Sequence, residues 1–384
     1  MMEKKRLLPG FARGLFAGHL EEGMIFPFPP ADAGERESLE LLLDSFRKFA
    51  GQKIDGAAID EQARMPDEVI RGLFDLGIMG MTIPEEFGGY GMSLSAYCRV
   101  MEEVSRYCAS TATTIGGHQS LGYKGILLFG TLEQKREYLP KMASGELLAA
   151  FALTEPTSGS DAASLKATAK FDRDRKVYIL NGTKRWTTNG GIASLFTVFV
   201  RTPGPPGSGR RDPISAFLVP RDLPGLSSGK EEKKLGLRGS STTDLILDNV
   251  QVPAGNLLGE EGQGFKIALE ILNTGRLSLS ACCLGAAKEM IDRSVAHARE
   301  RVQFGKPIAE FGMIQDKIAE MMADAFAAES VIYATAALAD RVEPVDYSLE
   351  SAICKIFVSE ALWRVIQHAV QINGGNGFMR EYPY

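Results

Sequence analysis

The chain holds 384 residues, 45% of them hydrophobic and 24% charged, with a formal net charge of -5 and a pI near 5.6. That length buries a large core and suggests two or three domains, while the acidic balance argues against nucleic acid as a main partner, since phosphate recognition needs clustered Lys and Arg. No apolar run reads as long enough to cross a bilayer, and five cysteines without CxxC spacing (Cys98, Cys108, Cys282, Cys283, Cys354) read as reduced thiols rather than a disulfide framework.

The N-terminus MMEKKRLLPG is basic, but no apolar signal core follows it, which predicts an intracellular protein. Residues 7–34 mix aromatics, glycines and prolines without a long period. They predict an arm that packs on a neighbour, with a short helix around 11–20. From residue 35 to 150, ESLELLLDSFRKFA, PDEVIRGLFDLG, SLSAYCRVMEEVSRY and TLEQKREYLPKMAS repeat apolar residues at helical spacing and predict an N-terminal α domain. The texture then changes. Over 151–262, SLKATAKF, KVYILNG, LFTVFVR, ISAFLVP and LILDNVQVP, separated by NG, GPPGSG and PG turns, predict a central β-barrel or sandwich. Three long helical patterns in 263–384 predict a C-terminal α-helical bundle. The fold class is α+β, mainly α; strand and helix do not alternate, so a doubly wound sheet is excluded.

The four histidines (His19, His118, His297, His368) lie far apart and read as structural or surface groups rather than metal ligands. GLSSG at 225–229 matches a nucleophile-elbow pattern, but no strand-to-helix context surrounds it, so it reads as a surface loop. GEEGQGF and GGNGF lack GxGxxG spacing and a βαβ setting. FALTEPTSGSDAAS (151–164) offers hydroxyls at Thr154, Thr157, Ser158 and Ser160 that suit a polar ligand, and suits a capped connecting loop equally well. In NGTKRWTTNGG (181–191), Trp186 could stack on a flat cofactor or pack in a core. In RERVQFGKPI (299–308), the arginines suit a pyrophosphate or a helix dipole.

Taken in order, IPEEFGGYGMS (83–93), FGTLEQKREYLPKMASGELLAAFALTEPTSGSDAAS (129–164), LNGTKRWTTNGG (180–191), RVQFGKPI (301–308) and QINGGNGF (371–378) resemble the acyl-CoA dehydrogenase family of flavoproteins. FARGLFAGHL, IFPFPP, HQSLGYKGILLFG and FGMIQDKIA are most similar to its very-long-chain branch. The resemblance implies FAD held between the domains and across a subunit interface of a homodimer or tetramer. It puts Phe151, Leu153 and Thr154 at the isoalloxazine and Ser160 at flavin phosphate or the substrate's pantetheine. Trp186 packs on the flavin face, with Thr187 and Thr188 beside it. Arg301, Phe304, Gln371, Ile372, Gly374 and Gly375 hold the adenine and pyrophosphate end from the neighbouring subunit, and Arg276 contacts acyl-CoA.

The chemistry implied is α,β-dehydrogenation of a long- or very-long-chain acyl-CoA to the trans-2-enoyl-CoA in fatty acid β-oxidation, with electrons passed to an electron-transferring flavoprotein. Small residues at Ala112, Gly116 and Gly117 leave room for a long acyl chain or serve helix packing. Two departures matter. The family's glutamate base in an EGT-type motif is not found in the 384 residues, and the alternative base position is Gly275. Glu155 and Glu381 are not assigned the role. The expectation is therefore a C-terminally truncated chain whose base lies beyond Tyr384, as would any membrane-associating region, and which is inactive alone. The setting expected is a bacterial cytoplasm, with a mitochondrial matrix as alternative. A non-catalytic scaffold or assembly factor, or an acyl-CoA oxidase, are the competing readings.

Overall fold

The computed structural model describes residues 8–26, 28, 33–204 and 212–384; residues 205–209 of the expected GPPGSG turn lie outside them. Amphipathic spacing folds the first domain into α1 (Phe11–Phe16), α2 (Ala33–Lys53), α3 (Gly56–Gln62), α4 (Asp67–Asp75), α5 (Leu94–Tyr107), α6 (Ala109–Gly116), α7 (Lys124–Phe129) and α8 (Leu132–Ser144). The ends are chemically marked. The Ser93 hydroxyl accepts the Ala96 N–H at the start of α5. Thr131 and Gln134 form a reciprocal capping box on α8, which stops at Gly145 with φ 88°.

Between α6 and α7 the chain makes a π-helical turn, Gly117–Tyr123. Wide turns of this kind need outside support, and here it comes from afar. The Tyr97 hydroxyl meets Ser120 Oγ at 2.7 Å, Ser120 Oγ meets Ser278 Oγ at 2.8 Å, and Gln119 Nε2 donates to the Ile78 carbonyl at 2.6 Å. His118 is fully buried. Its Nδ1 accepts the Ala149 N–H at 2.9 Å and its Nε2–H donates to the Met142 carbonyl at 3.3 Å, which together fix the neutral tautomer.

The strands are β1 (Leu8–Pro9), β2 (Ala149–Ala152), β3 (Thr168–Asp172), β4 (Val177–Thr188), β5 (Leu195–Arg201), β6 (Ile214–Pro220), β7 (Leu226–Ser228), β8 (Thr242–Pro253), β9 (Leu257–Leu258), β10 (Val302–Gln303), β11 (Lys306–Pro307) and β12 (Val345–Asp346). The middle domain orders them β7-β8-β4-β3-β5-β6-β9, with β2 beside β5. β3 and β5 touch at a single pair, Thr168 opposite Arg201, so two mostly antiparallel halves fold about that point. Three helices complete the chain: α9 (Gly264–Glu300), α10 (Gly312–Ala339) and α11 (Ser348–Asn373). One contiguous apolar core runs from Phe46 and Val69 through Phe196 and Val250 to Leu277 and Ile332, so the three regions share burial.

Several expectations are corrected. The described part of the arm packs on its own chain. β1 pairs with β12, the Glu350 carboxylate on α11 accepts the Ala12 N–H at 2.7 Å, and Arg13 meets Asp346 at 3.1 Å. GLSSG is not a loop: Leu226–Ser228 is an edge strand against β8, made legible only by its partner. α9 and α10 are each long and apolar enough by composition to cross a membrane, against the reading of the bare sequence. Both carry a buried stripe within the bundle.

α9, 37 residues long, is pinned to both other domains where no side chain fits. A Cβ on Gly264 would lie 2.5 Å from the Ser215 backbone, and one on Gly285 would lie 1.9 Å from the Glu102 carbonyl oxygen. Gly285→Ala is therefore expected to lower unfolding free energy by about 1–3 kcal/mol through overpacking, read as a shifted denaturation midpoint with unchanged m-value. Burial pushes the His118 imidazole down to about 4, a shift that its bond to Met142 only partly offsets. Between pH 6.5 and 4 the unfolded chain binds a proton there that the folded chain refuses, so stability falls as pH falls through that window. At pH 5 this group alone accounts for about 2 kcal/mol. His118→Gln, which keeps one donor and one acceptor, is expected to flatten the decline in denaturation midpoint between pH 7 and 5.

Candidate functional site

Where the N-terminal domain, the middle domain and α9 meet lies a cleft of about 480 Å³. β2 feeds Phe151 and then Leu153 and Thr154 into its wall. The loop that follows adds Gly159 and Ser160 through Ala163. β4 adds Arg185, Trp186 and Thr188, the π-helical turn adds Gly117 and Leu121, and α9 adds Leu269, Leu272 and Arg276. The structure thus gathers Phe151, Leu153, Thr154, Ser160, Trp186, Thr188 and Arg276, chosen in the sequence from three separate stretches.

Local geometry explains how β4 serves the cleft. Its register against β8 shifts between Lys184 and Thr187, and Trp186 within that bulge takes φ 56°. A bulge re-aims a side chain. The indole stays 60% exposed at the cleft wall, and Thr188 follows on the same side. Thr187 between them is buried and lines no part of the cleft, and its Oγ1 has no hydrogen-bond partner. Gly117 permits the opposite wall to approach: a Cβ there would meet Asn189 Nδ2 at 2.8 Å and Thr188 Cγ2 at 3.0 Å. Its small size serves that contact. Ala112 is buried in the core, and a Cβ on Gly116 would meet the Met101 methyl at 3.7 Å.

Electrostatically the cleft is cationic inside and carries one carboxylate among its described walls, the exposed Asp161. Arg276 is held by Asn273 Oδ1 at 2.9 Å, and Arg185 lies 3.5 Å from Asp244. Glu155 does not face the cleft. Its Oε1 takes the Lys184 ammonium at 2.6 Å and the Ala167 N–H at 3.0 Å, and its Oε2 takes the Lys166 N–H at 2.6 Å. Lys184 is fully buried; desolvation pushes its ammonium down to about 8, with Glu155 opposing. Lys184, Arg185 and Leu121 were given no role in the sequence; the strand expected at KVYILNG stops before Lys184, and only the structure carries β4 on to Thr188.

The second predicted group stands apart. Arg301 caps the far end of α9, about 37 Å from Arg276 along the helix at 1.5 Å per residue. Phe304 tips a hairpin between β10 and β11, with φ 53° followed by Gly305 at φ 81°, and its ring is 94% exposed. Ile372 is spent in the core beside Val365 and Ala369. Gln371, Gly374 and Gly375 are exposed at the end of α11, where Gly374 takes φ 57° and a Cβ on Gly377 would strike the Val370 carbonyl at 2.4 Å. Glu381 lies in neither group. It borders a separate groove of about 1410 Å³ with charges of both signs.

Helices, then a β domain, then a long-helix bundle, with a cleft at their junction, define a three-domain class of mainly α-helical protein. Family models agree throughout: the acyl-CoA dehydrogenase N-terminal domain matches residues 36–146, the middle domain 150–250 and the C-terminal domain 262–384. The chain is 43% identical over 374 residues to the mitochondrial very long-chain specific acyl-CoA dehydrogenase of Homo sapiens, covering 97% of this chain and 57% of that protein. It is 43% identical to an acyl-CoA dehydrogenase of Bacillus subtilis (strain 168), covering 88% of each. An acyl-CoA dehydrogenase from Bacillus anthracis, solved in complex with FAD, superposes with a TM-score of 0.84 at 37% identity, over 92% of this chain and 62% of that one. The chain belongs to the acyl-CoA dehydrogenase family. It spans just over half the length of the mitochondrial relatives it matches.

Proposed function

We propose that the cleft binds FAD and a long- or very-long-chain acyl-CoA, and that the protein dehydrogenates the α and β carbons of that thioester, passing electrons to an electron-transferring flavoprotein. The observation that carries this reading is the junction of Trp186, Thr154 and Thr188 in one cleft with Arg276. An exposed indole set on a bulge at the cleft wall, flanked by hydroxyls and an arginine, fits a planar, heteroatom-edged, anionic group. Bound FAD supplies the acceptor for the β hydrogen.

The chain's own residues bind and orient. Phe151, Leu121 and Leu272 exclude water and lower the local dielectric. The Thr154 and Thr188 hydroxyls hold the ring edge, Trp186 stacks on its face, Ser160 binds a phosphate or pantetheine, and Arg276 binds acyl-CoA. Hydrogen bonds to the thioester carbonyl must stabilise the enolate that forms as the α proton leaves. Arg301, Phe304, Gln371 and Gly374 lie too far along α9 and α11 to reach the ligand of their own cleft; in this reading a second copy of the chain presents them, which makes the protein a homo-oligomer.

A general base must be a carboxylate raised toward neutrality by a dry pocket. Asp161, exposed on the outer loop, does not meet that requirement. Gly275 faces Leu121, whose Cδ2 would lie 2.8 Å from a Cβ, so a side chain there points at the cleft wall. The 384-residue chain is therefore expected to take up FAD yet leave its absorbance unbleached under anaerobic palmitoyl-CoA. Gly275→Glu combined with Leu121→Ala is expected to introduce measurable bleaching, and full bleaching by the unaltered chain would place the base among these residues. Turnover with oxygen in preference to an electron-transferring flavoprotein would make it an oxidase.

The cofactor reading has its own optical test. The chain has 2 tryptophans, and the second, Trp363, is exposed on α11. In Trp363→Phe, titration with FAD is expected to quench most of the remaining emission, because Trp186 is then the sole emitter; undiminished emission at saturating FAD removes Trp186 from the site.

A further inference from the structure

The Lys184–Glu155 pair lies just behind the cleft, touches no ligand-facing surface, and has no part in the function proposed so far. Both side chains are essentially withdrawn from water, at 0% and 4% exposure. Burying an ion pair is costly, and neutral packing of the same volume would serve stability as well or better. Stability alone therefore does not explain why two charges are kept here. The directions of their bonds do.

Lys184 Nζ donates to Glu155 Oε1 at 2.6 Å and also to the Leu153 carbonyl at 3.3 Å. Next to it, the Arg185 N–H donates to the Thr154 carbonyl at 2.8 Å. Three consecutive residues of one wall, Leu153 to Glu155, are thus tied to the two residues of β4 that directly precede Trp186. Glu155 in turn holds the far end of its own loop, accepting the N–H groups of Lys166 and Ala167. Arg201 adds a second clasp through the carbonyls of Ala163 and Leu165. The segment between these ties, from Gly159 to Ala163, is the outer wall of the cleft.

We infer that the Lys184–Glu155 pair is a positioning device. It sets the separation and orientation of the Leu153–Ala163 wall relative to the Trp186–Thr188 wall, and so tunes flavin affinity without touching the flavin. The inference rests on the cleft being the FAD site. Placement errors of about 1 Å are enough to weaken a site by an order of magnitude or more.

The test uses the full 384-residue chain, with FAD affinity from Trp186 quenching in the Trp363→Phe background and melting temperature measured on the same samples. Lys184→Met alone strands a buried carboxylate and is expected to lower both. The deciding protein is Lys184→Met with Glu155→Gln, which removes both charges and keeps both volumes. It is expected to recover part of the melting temperature lost in Lys184→Met, since no charge is stranded although the new amide oxygen can accept from only one of the Lys166 and Ala167 N–H groups. It is also expected to bind FAD about tenfold more weakly than the parent, with blurred vibronic structure in the bound flavin spectrum. Parental affinity and spectrum in the double variant overturn the inference. So does a double variant that melts below Lys184→Met and loses affinity with it, since the pair would then be holding the domain rather than the cleft. A parent chain that takes up no FAD removes the site reading itself, and is recognised because no variant is needed to see it.

Discussion

α9 is held against two other domains by two contacts that leave no space for a Cβ, at Gly264 on the β6 backbone and at Gly285 on the α5 backbone. Everything at the cleft is referenced to that helix. Its first turns carry Phe265, Ala268, Leu269, Leu272 and Arg276, while its last turns pack with α11 and α10 in a separate core around Ala287, Met321 and Ile372. Backbone contacts of this closeness are unforgiving, since proteins pack at crystal-like density and transmit strain. A shift of α9 along its axis would therefore displace the ligand wall and the bundle together.

Charge reinforces the same register. Glu102 of α5 is buried yet takes the Lys288 ammonium at 2.7 Å, the Arg99 guanidinium at 3.3 Å and the Tyr333 hydroxyl. Glu329 of α10 joins Arg99 at 2.8 Å and Lys288 at 3.0 Å. Two acids and two bases alternate among α5, α9 and α10, directly beside Gly285. Partly exposed pairs of this kind contribute modestly to stability, but a slip of one helical turn would take Lys288 and Tyr333 away from the buried Glu102 and leave it only Arg99 of its own helix, which is more costly. The network discriminates between registers more than it adds to stability.

The long helices were legible because their stripes repeat over many turns, as in α5, α9 and α11, where periodicity averages out local noise. What escaped was short or supported from far away. β2, AAFA, is four residues buried on both faces and shows no alternation. The π-helical turn depends on Tyr97, Ile78, Ala149 and Ser278, none of them near it in sequence. The bulge at Trp186 exists only as a mismatch between β4 and β8. The candidate site was legible by a different route. Composition left FALTEPTSGSDAAS open between loop and ligand wall, and only the ordered motifs singled out its residues. Lys184 and Glu155 escaped both routes because their meaning is a pairing across 29 positions.

Two aromatic residues, Trp186 and Phe304, sit at positive φ with their rings largely in solvent. Each pays about 1–2 kcal/mol in backbone strain for a conformation that glycine or asparagine would adopt without it. Among the described residues the Phe304 ring keeps only an edge contact with Phe311, at 6.1 Å between ring centroids, and the Trp186 ring only the Arg185 guanidinium, 5.6 Å away. Trp186 lies on the cleft. Phe304 lies at the remote end of α9, beside Arg301 and the exposed end of α11, at a separation that a single chain cannot close. Strain with so little internal compensation points outward, and the two outliers mark two surfaces rather than one. If they serve one ligand, as proposed, that ligand has to be gripped by two copies of the chain, and the binding energy it contributes is then spent on holding the oligomer as well as the cofactor.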